Sequence, residues 1–381
     1  MVNYKIYLSP PFQNGKERDA LLNCLNSNWL APVGPGLNEF EESLSSLHLS
    51  KPVLALNSGT AAIHLSLILA GVTTGDEVIV AAHTHNATVN PIIYQGAVPV
   101  FVDCDWQSWN ISIEYLQQAI EDRIKKGKKP KAIIVVHLYG LPANMPAIIE
   151  MANAYKIPVI EDAAEALGSK LNDLPMGTWG DYGVLSFNGN KIITTSGGGA
   201  LITKTLKQRE QALFYATQAR DEAPHFQHSA VGYNYRMSNL LASLGTAQLS
   251  DLSYRVDKRR ANYEFYQQKF KELNQALGQE IVTSNLELPN QYSNRWLSTF
   301  LVHPYKNITQ ESWRIALESN QIESRPLWKP MHLQPIFSHF PFYGDHTSDR
   351  VFEQGICLPS GNELTNSQLD EITGIISSLY V

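Results

Sequence analysis

Over roughly the first 200 residues, short apolar runs alternate with segments whose apolar side chains return every three or four positions. The runs at 52–56, 77–82, 98–102, 132–136, 158–160, 183–187 and 200–203 predict strands. Residues 132–136 read AIIVV, a continuous β-branched run of the kind found in buried central strands. Between the runs, helices are predicted at 61–70, stopped by Gly71, at 113–124, where Ile113, Leu116, Ile120 and Ile124 share one face, and at 146–155. This alternation predicts an α/β fold: a large, mostly parallel sheet flanked by helices.

The pattern changes after about residue 235. Residues 240–275 are helical in period and rich in long polar side chains, with room for one long helix or two joined ones. A strand at 297–302, a helix at 309–319, a proline-rich stretch at 325–341 and a terminal helix at 365–379 follow. The expected division is a large domain over residues 1–245, N-terminal arm included, and a smaller C-terminal α+β domain over 246–381.

Composition narrows the class. The chain has 381 residues, 44% hydrophobic but only 17% charged, against a usual ~25%. A thinly charged chain of this length buries a large core and, on this reading, part of its outer surface. Thirty basic against 36 acidic side chains give a net charge of −6, which offers no electrostatic footprint for nucleic acid or an anionic membrane. No apolar run reaches the ~18 residues of a membrane span. Met1-Val2-Asn3-Tyr4-Lys5 lacks the long apolar stretch of a secretory leader, so a cytoplasmic protein is expected. Cys24, Cys104 and Cys357 are scattered, as reduced thiols are, and form neither a disulfide framework nor a zinc motif.

Four features fall at predicted strand ends, where open α/β sheets carry their sites. Asn57-Ser58-Gly59-Thr60-Ala61 lies between a strand and a helix, so its N–H groups suit a phosphate, unless it is only a capping turn. Glu161-Asp162-Ala163-Ala164-Glu165 follows an apolar run, and its carboxylates suit a metal, a ribose or a protonated ring nitrogen; alternatively Asp162 caps a helix. Lys191 closes Ser186-Phe187-Asn188-Gly189-Asn190-Lys191 ahead of Gly197-Gly198-Gly199, which permit close approach of backbone to a flat or bulky group. His83-Thr84-His85 has a metal-like spacing that His64 or Asp162 would have to complete, with no further motif to support it. Pyridoxal phosphate unites the phosphate turn, the carboxylate and the lysine, the lysine as Schiff base and the carboxylate on the pyridine nitrogen.

With these residues in place, the chain resembles the sugar-nucleotide aminotransferases of the DegT/StrS class, pyridoxal-phosphate enzymes of fold type I. The resemblance runs nearly end to end through Asn-Ser-Gly-Thr-Ala-Ala at 57–62, Gly-Ala-Val-Pro-Val-Phe-Val-Asp at 96–103, Glu-Asp-Ala-Ala-Glu-Ala at 161–166, Ser-Phe-Asn-Gly-Asn-Lys at 186–191 and Gly-Tyr-Asn-Tyr-Arg-Met at 232–237. It implies that Lys191 holds the cofactor as a covalent aldimine, with pyridoxamine phosphate during turnover, and that Asp162 faces the pyridinium nitrogen. It further implies that Gly59, Thr60 and Ser186 bind the phosphate and that Glu165 lies near the ring hydroxyl. His85 would stack on the ring where relatives have an aromatic residue. Asn234 would reach the neighbouring subunit's phosphate, which implies a homodimer with shared active sites.

The spelling at 186–192 and at 325–332 is most similar to a branch that aminates C4 of UDP-4-keto-6-deoxy-N-acetylhexosamines on the way to bacillosamine-like sugars. That likeness implies L-glutamate as donor and substrate contacts from Asn28, Trp29, Ser58, Arg325, Lys329 and His332, with Leu30, Ala31 and Trp328 in the same segments. The 325–332 stretch read by itself is equally a proline-rich packing loop. A 3-keto, dTDP- or GDP-linked substrate and a non-catalytic regulatory protein remain alternatives. An NAD-dependent oxidoreductase is a further one, disfavoured because no G-x-G-x-x-G joins a strand to a helix.

Overall fold

Strand alternation shows in which side chains each strand sends to which face. In the computed structural model, which describes residues 3–380 and leaves Met1, Val2 and Val381 outside the described residues, Val53 and Ala55 of β1 (Val53–Leu56) join one apolar cluster. Leu54 and Leu56 of the same strand join another. β2 (Glu77–Ala81) divides likewise, Ile79 and Ala81 against Val78 and Val80. These are the two faces of one sheet. It continues through β3 (Val98–Val102), β4 (Ala132–Val136), β5 (Val159–Asp162), β6 (Tyr182–Ser186) and β7 (Gly199–Thr203). Its spatial order is β1-β7-β6-β5-β4-β2-β3, extended at the β3 edge by Phe342–Tyr343. All pairs from β6 to that edge are parallel, while β7 runs antiparallel to both β1 and β6.

Helices cover both faces. α1 (Glu17–Ser27) and α2 (Pro35–Leu47) precede the sheet, and Leu37, Phe40 and Leu44 of α2 pack on the first face. α3 (Gly59–Leu69) and α4 (Asn86–Tyr94) pack on the second, while α5 (Ile113–Lys125) and α6 (Met145–Tyr155) return to the first. α7 (Leu206–Ala216) adds Ala212 and Ala216 to the second. α2, α7 and β1 meet at Glu41, whose carboxylate accepts from the Ala55 N–H (2.7 Å), Arg209 (2.6 Å) and Arg236. Arg236, from the 232–237 motif, therefore locks the scaffold.

Past residue 235 the predicted helical stretch is two helices, α8 (Asn239–Leu249) and α9 (Leu252–Leu277), broken at Ser250 and Asp251. α9 lies over an antiparallel sheet of Val282–Thr283, β8 (Ser298–Val302), β9 (Gly355–Leu358) and Arg325–Pro326. Tyr266, Phe270 and Phe300 form a third core there with Trp313 of α10 (Gln310–Ser319) and Ile372 of α12 (Asn366–Ser378). The N-terminal arm contributes Ile6 to that core. Five helices went unread in the sequence: α1, α2, α4, α7 and α11 (Thr347–Gln354). In α4 the interior Pro91 masks the period. No described helix is long and apolar enough to cross a membrane.

Candidate active site

The chain order reverses at β2, which lies between β3 and β4, and the crevice beyond the strand C-termini at such a point is the usual ligand site of an open sheet. A cavity of about 360 Å³ opens there, near the lower end of the ~300–1,000 Å³ range of cofactor pockets.

Its walls start at β5. Glu161 and Asp162 are consecutive, so they point to opposite faces. Glu161, fully buried, accepts N–H groups of Gly177 (2.9 Å), Trp179 (2.6 Å) and Gly180 (2.6 Å) and meets His137 Nε2 at 3.0 Å. Burial alone would raise its pKa, but His137 and these donors outweigh it and hold the carboxyl below its usual range. Glu161 is thus consumed by the scaffold. Asp162 faces the cavity, accepting the Thr88 hydroxyl (2.7 Å) and the Ala164 N–H (3.1 Å). Thr88 spends its proton on Asp162, so Thr84, 2.7 Å away, donates in turn to Thr88. Among the described residues no cation pairs with Asp162, which is only 5% exposed. A buried carboxylate without a counter-ion fits a protonated ring nitrogen.

At one end of the cavity α3 begins. The Ser58 hydroxyl caps it by accepting the Ala61 N–H (3.0 Å). The N–H groups of Gly59 and Thr60 and the hydroxyls of Thr60 and Ser186 have no partner among the described residues. A Cβ on Gly59 would stand 3.2 Å from that of Ser186, so the two walls nearly touch. Free donors at a helix N-terminus fit a phosphate. Gly199 allows a close approach too, but to this chain's own backbone: a Cβ there would lie 2.4 Å from the Gly59 nitrogen.

At the other end stands Lys191. Its Nζ is 3.4 Å from Glu165 Oε1 and 4.0 Å above the Trp296 ring. The preceding carbonyl, of Asn190, accepts from Ser9 Oγ and Trp296 Nε1, both at 2.8 Å. Arg259 of α9 reaches Ser9 Oγ (3.1 Å), the Trp296 carbonyl and Asn362 Oδ1 (3.2 Å), with no carboxylate beside it among the described residues. Burial, with Arg255 nearby, lowers its pKa to about 9. Glu165 Oε2 accepts the Tyr139 N–H (2.7 Å), and burial raises its pKa against the opposing pull of Lys191. The Tyr139 ring lies parallel to Trp296 and Trp328 at 6.4 and 6.1 Å, and its hydroxyl accepts the Trp328 N–H (2.8 Å). Three aromatic rings from distant segments thereby form one stack behind Lys191.

Of the residues singled out in the sequence, the cavity gathers Ser58, Gly59, Thr60, His85, Asp162, Glu165, Ser186 and Lys191. His85 Nδ1 accepts the Ala87 N–H at 3.1 Å to cap α4, and its ring meets Trp328 edge-on at 5.1 Å. Burial, reinforced by Lys191, lowers its pKa. Lys329 lines an adjoining pocket that shares Thr84, His85 and Trp328. Asn28, Trp29, Asn234 and Arg325 do not line the cavity. The Trp29 carbonyl binds the Asn239 side chain (3.0 Å), the Asn234 carbonyl binds that of Asn57 (3.0 Å), and exposed Arg325 pairs with Glu323 (2.9 Å). His332 faces away, stacked on Phe342. His83 and His85 do not converge on a metal: His83 is buried beside Tyr139 with its pKa lowered to about 3 by burial, while His85 caps its helix. His64 lies among Tyr94, Tyr233 and Tyr235. Tyr139, Trp296 and Thr88 escaped sequence reading, since none sits in a motif.

A model of the DegT/DnrJ/EryC1/StrS aminotransferase family matches residues 12–377. EpsN of Bacillus subtilis (strain 168), named as a candidate pyridoxal phosphate-dependent aminotransferase, is 45% identical over 385 residues, covering 99% of this chain and 96% of its own. A GDP-perosamine synthase of Escherichia coli O157:H7 is 34% identical over 371 residues, 97% of each chain. The structure of Spr1654 from Streptococcus pneumoniae in its PLP form, named as a candidate sugar aminotransferase, superposes with a TM-score of 0.87 at 25% identity, covering 99% of this chain and 98% of that one.

Proposed function

The chain belongs to the DegT/DnrJ/EryC1/StrS aminotransferase family, with the fold of type I pyridoxal-phosphate enzymes, and from that premise we propose what it aminates and which residues act. It is a pyridoxal phosphate-dependent sugar aminotransferase. The reading is amino transfer from L-glutamate to C4 of a UDP-2-acetamido-4-keto-2,6-dideoxyhexose, in the cytoplasm, for bacillosamine-like surface glycans. One observation carries the chemistry: an amine, Lys191, and an unpaired buried carboxylate, Asp162, border one cavity with free phosphate donors at its end.

When bound, pyridoxal phosphate supplies an electron sink that acidifies the donor's Cα–H. Asp162 holds the proton on the ring nitrogen, and Thr88 and Ala164 fix that carboxylate in place. Gly59, Thr60 and Ser186 would hold the phosphate. His85 would cover a face of the ring, and Glu165 would border its hydroxyl. Lys191 Nζ takes the proton from Cα and returns it, as base and then acid; the bonds on the Asn190 carbonyl orient its backbone. Lys329, at the mouth beside Trp328, meets the nucleotide diphosphate as a point charge. Asn28, Trp29, Asn234 and Arg325 lie outside this chain's cavity, so in a homodimer they would serve the partner's.

The substrate is tested by product analysis against UDP-, GDP- and dTDP-linked 3-keto and 4-keto sugars with glutamate. An amine at C4 of the UDP-linked N-acetyl sugar is expected. Preference for a GDP-linked sugar, the reading favoured by the likeness to a GDP-perosamine synthase, would overturn it. Sedimentation should show a dimer.

A further inference from the structure

Behind the cavity rim lies a cluster of ligand-type side chains with no part in that chemistry. His332 stands in a one-turn 3-10 helix, Met331–Leu333, and His346 and Asp349 stand at the start of α11. His332 Nε2 lies 2.8 Å from Asp349 Oδ1, and His346 Nδ1 lies 2.9 Å from Asp349 Oδ2. One donor atom from each residue falls within 4.8 Å of the others.

The two contacts differ in kind. His346 to Asp349 is a hydrogen bond. His332 to Asp349 is not aligned as one: neither ring nitrogen of His332, nor Asp349 Oδ1, has a hydrogen-bond partner among the described residues, although all three are shut from solvent. His332 is only 9% exposed. Unpartnered buried polar atoms are rare because they forfeit their hydration. Two of them only 2.8 Å apart, with His346 Nδ1 on the other oxygen of the same carboxylate, form a donor set that a shared cation would satisfy. The ring of His332 is fixed by stacking on Phe342 at 3.9 Å. The start of α11 is fixed by Asp103, which accepts the N–H groups of Thr347 (2.8 Å) and Ser348 (3.0 Å). His346 is exposed and leaves the outer side open to water.

We propose that His332, His346 and Asp349 form a divalent transition-metal site that ties the 325–341 stretch to α11. Two imidazoles and a carboxylate with an open fourth position are a donor set of zinc. His332 follows Lys329 by three residues and Trp328 by four, so the metal steadies the rim that bears them.

The test uses tag-free holoenzyme, stripped with a chelator and titrated with Zn²⁺ by calorimetry, then with Co²⁺ to read visible d–d bands. One metal per chain is expected. His346→Ala and Asp349→Asn should each weaken binding by at least about tenfold, the loss that even outer-shell changes produce. Retained cofactor absorbance in both variants reports folding, and the readout is independent of amino transfer. No saturable binding by the parent protein, or binding by both folded variants equal to the parent's, would overturn the site.

Discussion

The two ends of the cavity are built on different plans. The end proposed to hold the phosphate comes from one strand–helix junction, Ser58 to Ala61, closed by Ser186 across the sheet. The lysine end draws on five separated segments: Ser9 and Trp296 bond the Asn190 carbonyl beside Lys191, and Tyr139 and Trp328 stack behind Trp296. A binding cradle needs only free N–H groups at a helix start, which local geometry supplies. A proton carrier must be held in one direction, which takes packing from all sides.

Removing the groups one at a time tests that contrast. Lys191→Ala should abolish turnover and leave cofactor bound only non-covalently, so that borohydride attaches no cofactor mass to the peptide spanning residue 191. Residual parent-like turnover would break the assignment. Asp162→Asn should keep the fold and lower kcat roughly a hundredfold to a thousandfold, as loss of one preorganised electrostatic partner does; near-normal rates would remove its role. At the phosphate end, Ser186→Ala should weaken cofactor binding about tenfold, the loss of one hydrogen bond to a charged group at about 1.5 kcal/mol, with kcat little changed at saturation.

Trp296→Phe keeps an aromatic face under Lys191 but drops the bond to the Asn190 carbonyl. It should lower kcat about fivefold, the equivalent of one hydrogen bond of ~1 kcal/mol, with cofactor affinity unmoved. A change in affinity instead would mean that the two ends are not separate. The smallest effect concerns pH. Burial raises the Glu165 pKa above its ordinary 4.5, so the folded chain keeps a proton that the unfolded chain releases in the window above 4.5. Stability of the cofactor-free protein therefore falls as pH rises through the raised pKa. Glu165→Gln removes that fall, so its thermal midpoint should drop less than the parent's between about pH 5 and pH 8. Parallel slopes would count against a raised pKa.

The phosphate end was legible because its parts are neighbours in sequence. Asn57 to Ala61 reads as strand, turn and helix start, and the structure builds that. Glu161-Asp162 after an apolar run announced a carboxylate at a strand end, but only the pleat decided which of the two faces the cavity. The aromatic stack was not legible. Trp296 precedes an ordinary strand, Tyr139 sits in a short turn with φ +53°, and no spacing rule links either to Lys191.

His332 marks the limit most clearly. Its place in the 325–332 stretch suggested substrate, yet its ring turns to Phe342 and Asp349 because the chain turns once at Met331–Leu333. By itself the sequence determined the family, the α/β alternation and the cofactor chemistry, and singled out the lysine proposed to serve it, since each rests on local period or contiguous motif. The tertiary structure decided which carboxylate is free, what holds Lys191 from behind, and which histidines meet, because those depend on contacts between residues up to 250 positions apart, as between Ser9 and Arg259.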